Sequence, residues 1–314
     1  MGTYALKRIL QLIPILLAIT FLSFAMMRLA GSDAVMQKME NTGVTLSQEA
    51  MDAARKELGL DQPFLTQYAR WLGGVLRGDM GKSYLSGKEV FSVFLSKLPA
   101  TLLLAACSIF LTICISIPLG ILGAVKQNSF ADQIVRWLSF LGNSLPNFFV
   151  ALLLMYFFAL RWPLFPVISR QTDLRSVALP AFTLAIAMSS KYIRQVRAAV
   201  LDELGKSYVT GARARGVTFH AILLKSVLRC SLVTLLTLLT LSIGSLLGGT
   251  AVVESIFLWD GVGKLAADAI QMRDYPMIQA YVMWMAILYV GINLITDLCY
   301  RLLDPRIRLG RGAA

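Results

Sequence analysis

Two stretches hold the residue types of a phosphate-binding loop. In GDMGKS, Gly81, Lys82 and Ser83 match the end of the pattern in which backbone N–H groups and a lysine hold phosphate oxygens while a hydroxyl holds the metal. The pattern also needs a glycine at position 76, which is leucine, and no strand precedes it. DGVGK at 260–264 has the same defects, so this chain is not expected to bind ATP.

Other chemistry-bearing residues are sparse. His220 is the only histidine and has no cysteine or acid at metal-ligand spacing, which makes it a solvated loop side chain. Cys107, Cys114, Cys230 and Cys299 are scattered, imply no disulfide framework and read as small buried hydrophobes. Arg28 and Asp297 lie near the ends of apolar runs, and Asp297 precedes Arg301 by four residues, the spacing of an ion pair on one helix face. Lys191, Arg194 and Arg197 recur every third residue and are expected to snorkel to a membrane surface. The apolar runs contain no paired acids, histidine motif or nucleophile, so an embedded enzyme is not indicated, and no catalytic residue, cofactor or metal site is expected. An ATP-independent carrier or channel stays open as an alternative.

One further stretch has an unusual make-up. YVTGARARGV, residues 208–217, sits between two apolar runs yet consists of small residues, two arginines and a glycine. Ala212 and Ala214 let another surface approach closely, Arg213 and Arg215 offer charged hydrogen bonds, and Gly216 permits a turn. Such a segment suits docking to a cytosolic partner.

The elements that hold these residues follow from composition. Of 314 residues, 57% are hydrophobic and 15% charged, against about 25% charged in soluble domains. Apolar residues gather into six blocks long enough to cross a hydrocarbon core as helices: Ile9–Leu29, Leu98–Val125, Trp137–Leu160, Leu174–Arg194, Ser231–Phe257 and Met277–Tyr300. The first is too long for a signal peptide and no cleavage site follows, so it reads as a retained helix. Basic residues concentrate in 1–8, 126–136, 195–230 and 301–314, while the short loops 161–173 and 258–276 hold few, which places both termini in the cytosol. The net charge of +12 then serves anionic lipid headgroups and needs no nucleic-acid partner. Pro118, Pro146 and Pro180 are candidate kinks, and Gly244, Gly248 and Gly249 suit close helix packing.

The long segment between the first two spans is outside. LSQEAMDAARKELGL predicts a helix from Ser47 that stops at Gly59. In QPFLTQYARWLGGVLRGDMG, Phe64, Tyr68, Trp71, Leu72 and Val75 share one helical face, which predicts an interfacial helix or, alternatively, a contact for an external partner.

YVTGARARGVTFHAILLKSVLRCSL resembles the EAA loop of permease subunits in binding-protein-dependent ABC importers, in the dipeptide, oligopeptide and nickel group. Supporting stretches run along the chain in order: LKRILQLIPILLAITFLSF, LGLDQPFLTQYARWL, GDMGKSY, LPATLLLA, FLGNSLPNFF, VVESIF with GVGKL, RDYPMIQA and LDPRIR. The resemblance implies an all-α type I importer permease fold with six transmembrane helices. Its parts would be a first helix (1–30), an extracytoplasmic segment (31–97), a five-helix core (98–300) with a coupling loop at 195–230, and a tail (301–314). It further implies that Tyr208, Ala212, Arg213, Ala214, Arg215 and Gly216 form a coupling helix seated in an ATP-hydrolysing subunit. The implied partners are a second permease as a heterodimer, two cytosolic ATP-binding subunits and an extracytoplasmic substrate-binding protein. FLGNSLPNFF is more similar to nickel permeases, so chelated nickel is the expected cargo, with di- or oligopeptides as the alternative. Departures from the group's pattern are Thr210 and Gly211 in place of its glutamate and first alanine, Ser226, Cys230 and Thr234 downstream, and Asp260 in place of proline after Trp259.

Overall fold

The computed structural model describes residues 2–29, 35–36, 39, 47–57, 59–168 and 173–303. The side chains of Lys7, Arg8, Asp297, Cys299 and Arg301, with the expected Asp297–Arg301 pair, lie outside the described residues, as do Arg170 and the tail 304–314. The helices are α1 (Gly2–Leu29), α2 (Gln48–Glu57), α3 (Phe64–Leu76), α4 (Val90–Val125), α5 (Phe130–Ser144), α6 (Asn147–Met155) with a π-helical turn Tyr156–Arg161, α7 (Leu174–Leu204), α8 (Ser207–Ala214), and α9 (Phe219–Ile222). A second π-helical turn, Leu223–Val227, leads into α10 (Leu228–Phe257), which is followed by α11 (Val262–Gln271) and α12 (Tyr275–Leu303). Among the described residues the only β-type pairing named is an isolated antiparallel bridge between Lys82 and Glu89.

Val90–Val125, Leu174–Leu204, Phe219–Gly244 and Tyr275–Thr296 are long and apolar enough to cross a bilayer, and α5 with α6 and its π turn makes a fifth candidate. The shorter apolar stretch Ile13–Leu29 lies in α1. The third expected span is not one straight helix: α5 and the segment Asn147–Arg161 meet at 101°. Pro146 is the cause. It excludes the helical region for Leu145, which is extended at φ −85°, ψ 130°, whereas Pro118 and Pro180 sit inside unbroken helices. Asp173 caps α7 by accepting from Ser176 N–H at 2.7 Å, and the bonds from Ser176 hold its carboxyl below the usual carboxylate range.

The chain divides into two compact units, residues 1–101 with 260–290, and residues 102–259 with 291–314. In the first, Ser47 Oγ accepts from Ala50 N–H to open α2, and Gly59, at φ +65°, ends the turn after it. The aromatic stripe of α3 meets this chain's own α1: Phe64 and Tyr68 pack edge-on against Phe21, and Trp71 lies 5.9 Å from Phe24. Tyr68 Oη is also 3.0 Å from Thr20 Oγ1. Phe64, Tyr68 and Trp71 thus turn part of the stripe onto this chain's own α1, and no residue of α3 is fully buried by that contact. Ser83 Oγ and Tyr84 N–H both donate to Asp274, joining GDMGKSY to RDYPMIQA, so the phosphate-loop look-alike is a packing device. Asp260 is paired with Lys97, and Val262 N–H donates to Thr101 Oγ1 at 2.8 Å, which accounts locally for an acid where the related motif has proline.

In the second unit α7 is central, packed by α5, α6 and α10. Tyr192 on α7 donates to the Leu235 carbonyl on α10. The tightest glycine contacts are Gly142, where a Cβ would fall 2.0 Å from Ser190 Oγ, and Gly120, where it would fall 2.6 Å from Val196. Among the described residues of this chain a Cβ at Gly248 would meet nothing within 4 Å, and one at Gly249 would meet Asn147 at 3.7 Å. Cys114 and Cys230 are exposed rather than buried, and Cys107 is half-buried; all three are free.

Candidate functional site

The stretch singled out by composition forms a short helix hung between two long ones. α7 runs to Leu204, ten residues past the expected span end at Arg194, and helix resumes at Phe219, so the connection narrows to 205–218. α8 occupies eight of those residues. Its end is a Schellman motif: Gly216 N–H donates to the Arg213 carbonyl at 2.9 Å and Val217 N–H to the Ala212 carbonyl at 3.2 Å. Gly216 holds φ +77°, the left-handed conformation that this motif demands and that a side chain disfavours.

One residue fixes the helix to the body. Val209 is 1% exposed, in a cluster with Tyr192, Val196, Val200, Ile222, Val227 and Leu235. Ala212, three residues on, is half-buried against the same cluster, so it anchors the helix and does not face outward. Tyr208, Arg213, Ala214, Arg215 and Gly216 are exposed together. A Cβ at Gly216 would meet nothing within 4 Å, which leaves the backbone of this turn open to approach. His220 is exposed beside it.

The exposed side chains are held in place. Tyr208 Oη donates to Glu203 Oε2 at 2.9 Å, and Lys206 pairs with the other oxygen of Glu203. Burial and then the Glu203 carboxylate push the Tyr208 phenol well above its ordinary value, so it stays protonated; the bond to Glu203 also raises the Lys206 ammonium. The Arg213 guanidinium stacks 5.4 Å over the Phe219 ring, joining α8 to the helix that follows.

Below the loop lies an ion pair between Arg197 on α7 and Asp132 on α5. Arg197 does not snorkel: its Nε and Nη2 donate to Asp132 at 2.7 and 2.9 Å, and Asp132 is fully buried. Asn128 N–H adds a third bond to Asp132 at 3.0 Å. Arg194 reaches the Ser139 carbonyl at 3.4 Å, and both it and Lys191 stay exposed, as a snorkelling cation does, so that Arg197 alone of the three departs from the expectation. Glu203 and Asp132 were both missed. Glu203 lies three residues before Lys206, a local signal, whereas Asp132 and Arg197 are 65 positions apart and nothing local links them.

Residues 116–309 match the family described as the binding-protein-dependent transport system inner membrane component, and residues 1–105 match the N-terminal part of such membrane components. The chain belongs to this family. It is 38% identical over 317 residues to the oligopeptide transport system permease protein AppB of Bacillus subtilis, covering 98% of this chain and 99% of that protein. It is 36% identical to a putative peptide permease protein of Brucella ovis, with the same two coverages. To the nickel import system permease protein NikB of Staphylococcus aureus it is 35% identical, over 98% of this chain and 92% of that one. The MetNI methionine ABC transporter, solved in inward-facing conformations, shares the fold at a TM-score of 0.56 and 18% identity, over 68% of this chain and 96% of that one. The protein is thus an ABC importer permease of type I fold, a multi-pass inner-membrane transport component and not an enzyme, acting with ATP-binding and substrate-binding partners.

Proposed function

We propose that α8 is the coupling helix of this importer and that Tyr208, Arg213, Ala214, Arg215 and Gly216 form the surface an ATP-binding subunit grips. Ala212 completes the site from beneath. The observation that carries the reading is the contrast along one short helix: Val209 locked in the core while the Schellman turn at Gly216 stands open. A push on the exposed side is carried by Val209 into the cluster between α7 and the start of α10, so closure of the ATP-binding subunits moves helices rather than a loose loop. The assembly we infer has a second, different permease, two ATP-binding subunits and one extracytoplasmic binding protein, with both termini of this chain in the cytosol.

For the cargo we infer nickel held in a chelate, supported by FLGNSLPNFF and by the full-length likeness to NikB. The likeness to AppB favours di- or oligopeptides as a second reading. Purifying the chain from its native membranes with its bound subunits, and titrating the recovered binding protein with nickel chelates and with short peptides, tests both levels. Co-purified ATP-binding subunits and nickel-chelate binding are the expected result. Peptide binding alone would replace the cargo reading, and recovery of a lone, still-transporting chain would overturn the coupling reading.

A further inference from the structure

α5 is built inside out. It buries Asp132, Ser139 and Gly142 together with Val135, and exposes the large apolar Trp137, Phe140 and Leu141. A helix with polar residues inward and large apolar ones outward faces hydrocarbon, not water. Beside that face, between α5 and α7, an open depression of about 570 Å³ is lined by Gln133, Arg136, Trp137, Phe140 and Arg194.

The electrostatics of this depression are one-sided. Asp132 is the nearby acid, and its two oxygens are already taken by Arg197 and Asn128 N–H. Arg136 stays 3.7 Å from it, beyond hydrogen-bond reach, with half its side chain exposed. Among the described residues Arg194 makes one hydrogen bond, the long contact to the Ser139 carbonyl. Two guanidiniums therefore converge with no acid in the lining, next to a pair of exposed rings 6.4 Å apart. Guanidiniums suit phosphate oxygens, and a tryptophan beside basic residues marks the headgroup level of a bilayer.

We propose that this depression binds the phosphate of an anionic phospholipid from the inner leaflet, held by Arg136 and Arg194 with its acyl chains along Trp137 and Phe140. The bound lipid would sit against the buried Asp132–Arg197 pair, on α7, the helix that carries the coupling segment. The proposal is independent of what the importer carries.

Brominated phospholipids quench tryptophan on contact, which gives the test. The complex, purified with its partner subunits, is reconstituted into vesicles of brominated phosphatidylglycerol or brominated phosphatidylcholine mixed with unlabelled phosphatidylcholine. The Trp137 signal is the difference between wild type and Trp137→Phe. Phosphatidylglycerol is expected to quench it at lower mole fraction, by roughly fivefold per arginine, the preference given by one basic group at an anionic surface. Arg136→Gln with Arg194→Gln removes the preference, while Arg136→Lys with Arg194→Lys keeps most of it and shows that the fold tolerates change there. Equal quenching by the two lipids overturns the proposal, as does a preference that survives the glutamine pair. Absence of quenching by either lipid also overturns it, because a protein surface, such as the second permease, then covers the face.

Discussion

Arg197 on α7 grips Asp132 on α5 through two nitrogens at 2.7 and 2.9 Å, and the carboxylate is wholly out of solvent. The pair fastens α5, the half of the broken span before Pro146, to the central helix near the inner end of the bundle. Removing one partner leaves a buried charge uncompensated, which costs about 3 kcal/mol or more. Arg197→Met is therefore expected to lower the unfolding midpoint of the purified protein sharply, and Asp132→Asn added to it to recover much of the loss. A double variant no more stable than Arg197→Met alone would show that the pair is not what holds α5.

Gly142 gives a second, independent check on the same contact. A Cβ there would fall 2.0 Å from Ser190 Oγ, so Gly142→Ala is expected to destabilise by about 1–3 kcal/mol, the usual cost of overpacking. Ser190→Gly in the same chain should relieve most of that, read as recovery of the melting temperature in detergent.

Val209 is the anchor of α8, and Val209→Ala removes two buried carbons worth about 1.6 kcal/mol together. Because every exposed residue of α8 is unchanged, the expected phenotype is a complex that assembles with its ATP-binding subunits but imports more slowly per ATP hydrolysed. Pull-down of the ATP-binding subunit alongside vesicle uptake separates the two.

Tyr208 donates to Glu203 in its protonated form, and burial and the Glu203 carboxylate raise it from an ordinary value of 10.0. A raised value means that the bond is fully present below pH 10 and is lost only as pH climbs through the folded value above it. Coupled ATPase activity should therefore show no Tyr208-dependent change across the neutral range. Tyr208→Phe should lower coupling by about two- to fivefold at every pH there, the effect of one hydrogen bond of about 0.5–1 kcal/mol. A wild-type loss near pH 8 that disappears in Tyr208→Phe would contradict this.

The parts of this molecule that show in its sequence are those governed by local rules. Ser47, Gly59 and Gly216 act where capping and left-handed turns require them, and the apolar runs become long helices. The composition of 208–217 was enough to mark α8, yet it could not separate Ala212, which faces the core, from Ala214, which does not, because that depends on how α8 docks. Distant partners are not legible in the sequence: nothing local links Arg197 to Asp132, and nothing in the α3 stripe names Phe21 and Phe24 as the rings it meets. Pro146 stood among three equal candidates, and only it breaks a helix, since Leu145 precedes it in an extended conformation.

We propose that an ATP-binding subunit grips the open turn at Gly216. The most direct test is Gly216→Trp in the reconstituted complex, with ATP-driven uptake and ATP hydrolysis measured together. A Cβ at Gly216 opens onto unoccupied space among the described residues, although φ +77° strains any side chain by about 1–2 kcal/mol, so Gly216→Ala carries the same strain without the bulk. The tryptophan variant is expected to lose uptake, with hydrolysis no longer following cargo delivery, while the alanine variant retains most of both. Uptake by Gly216→Trp at the level of Gly216→Ala would contradict it.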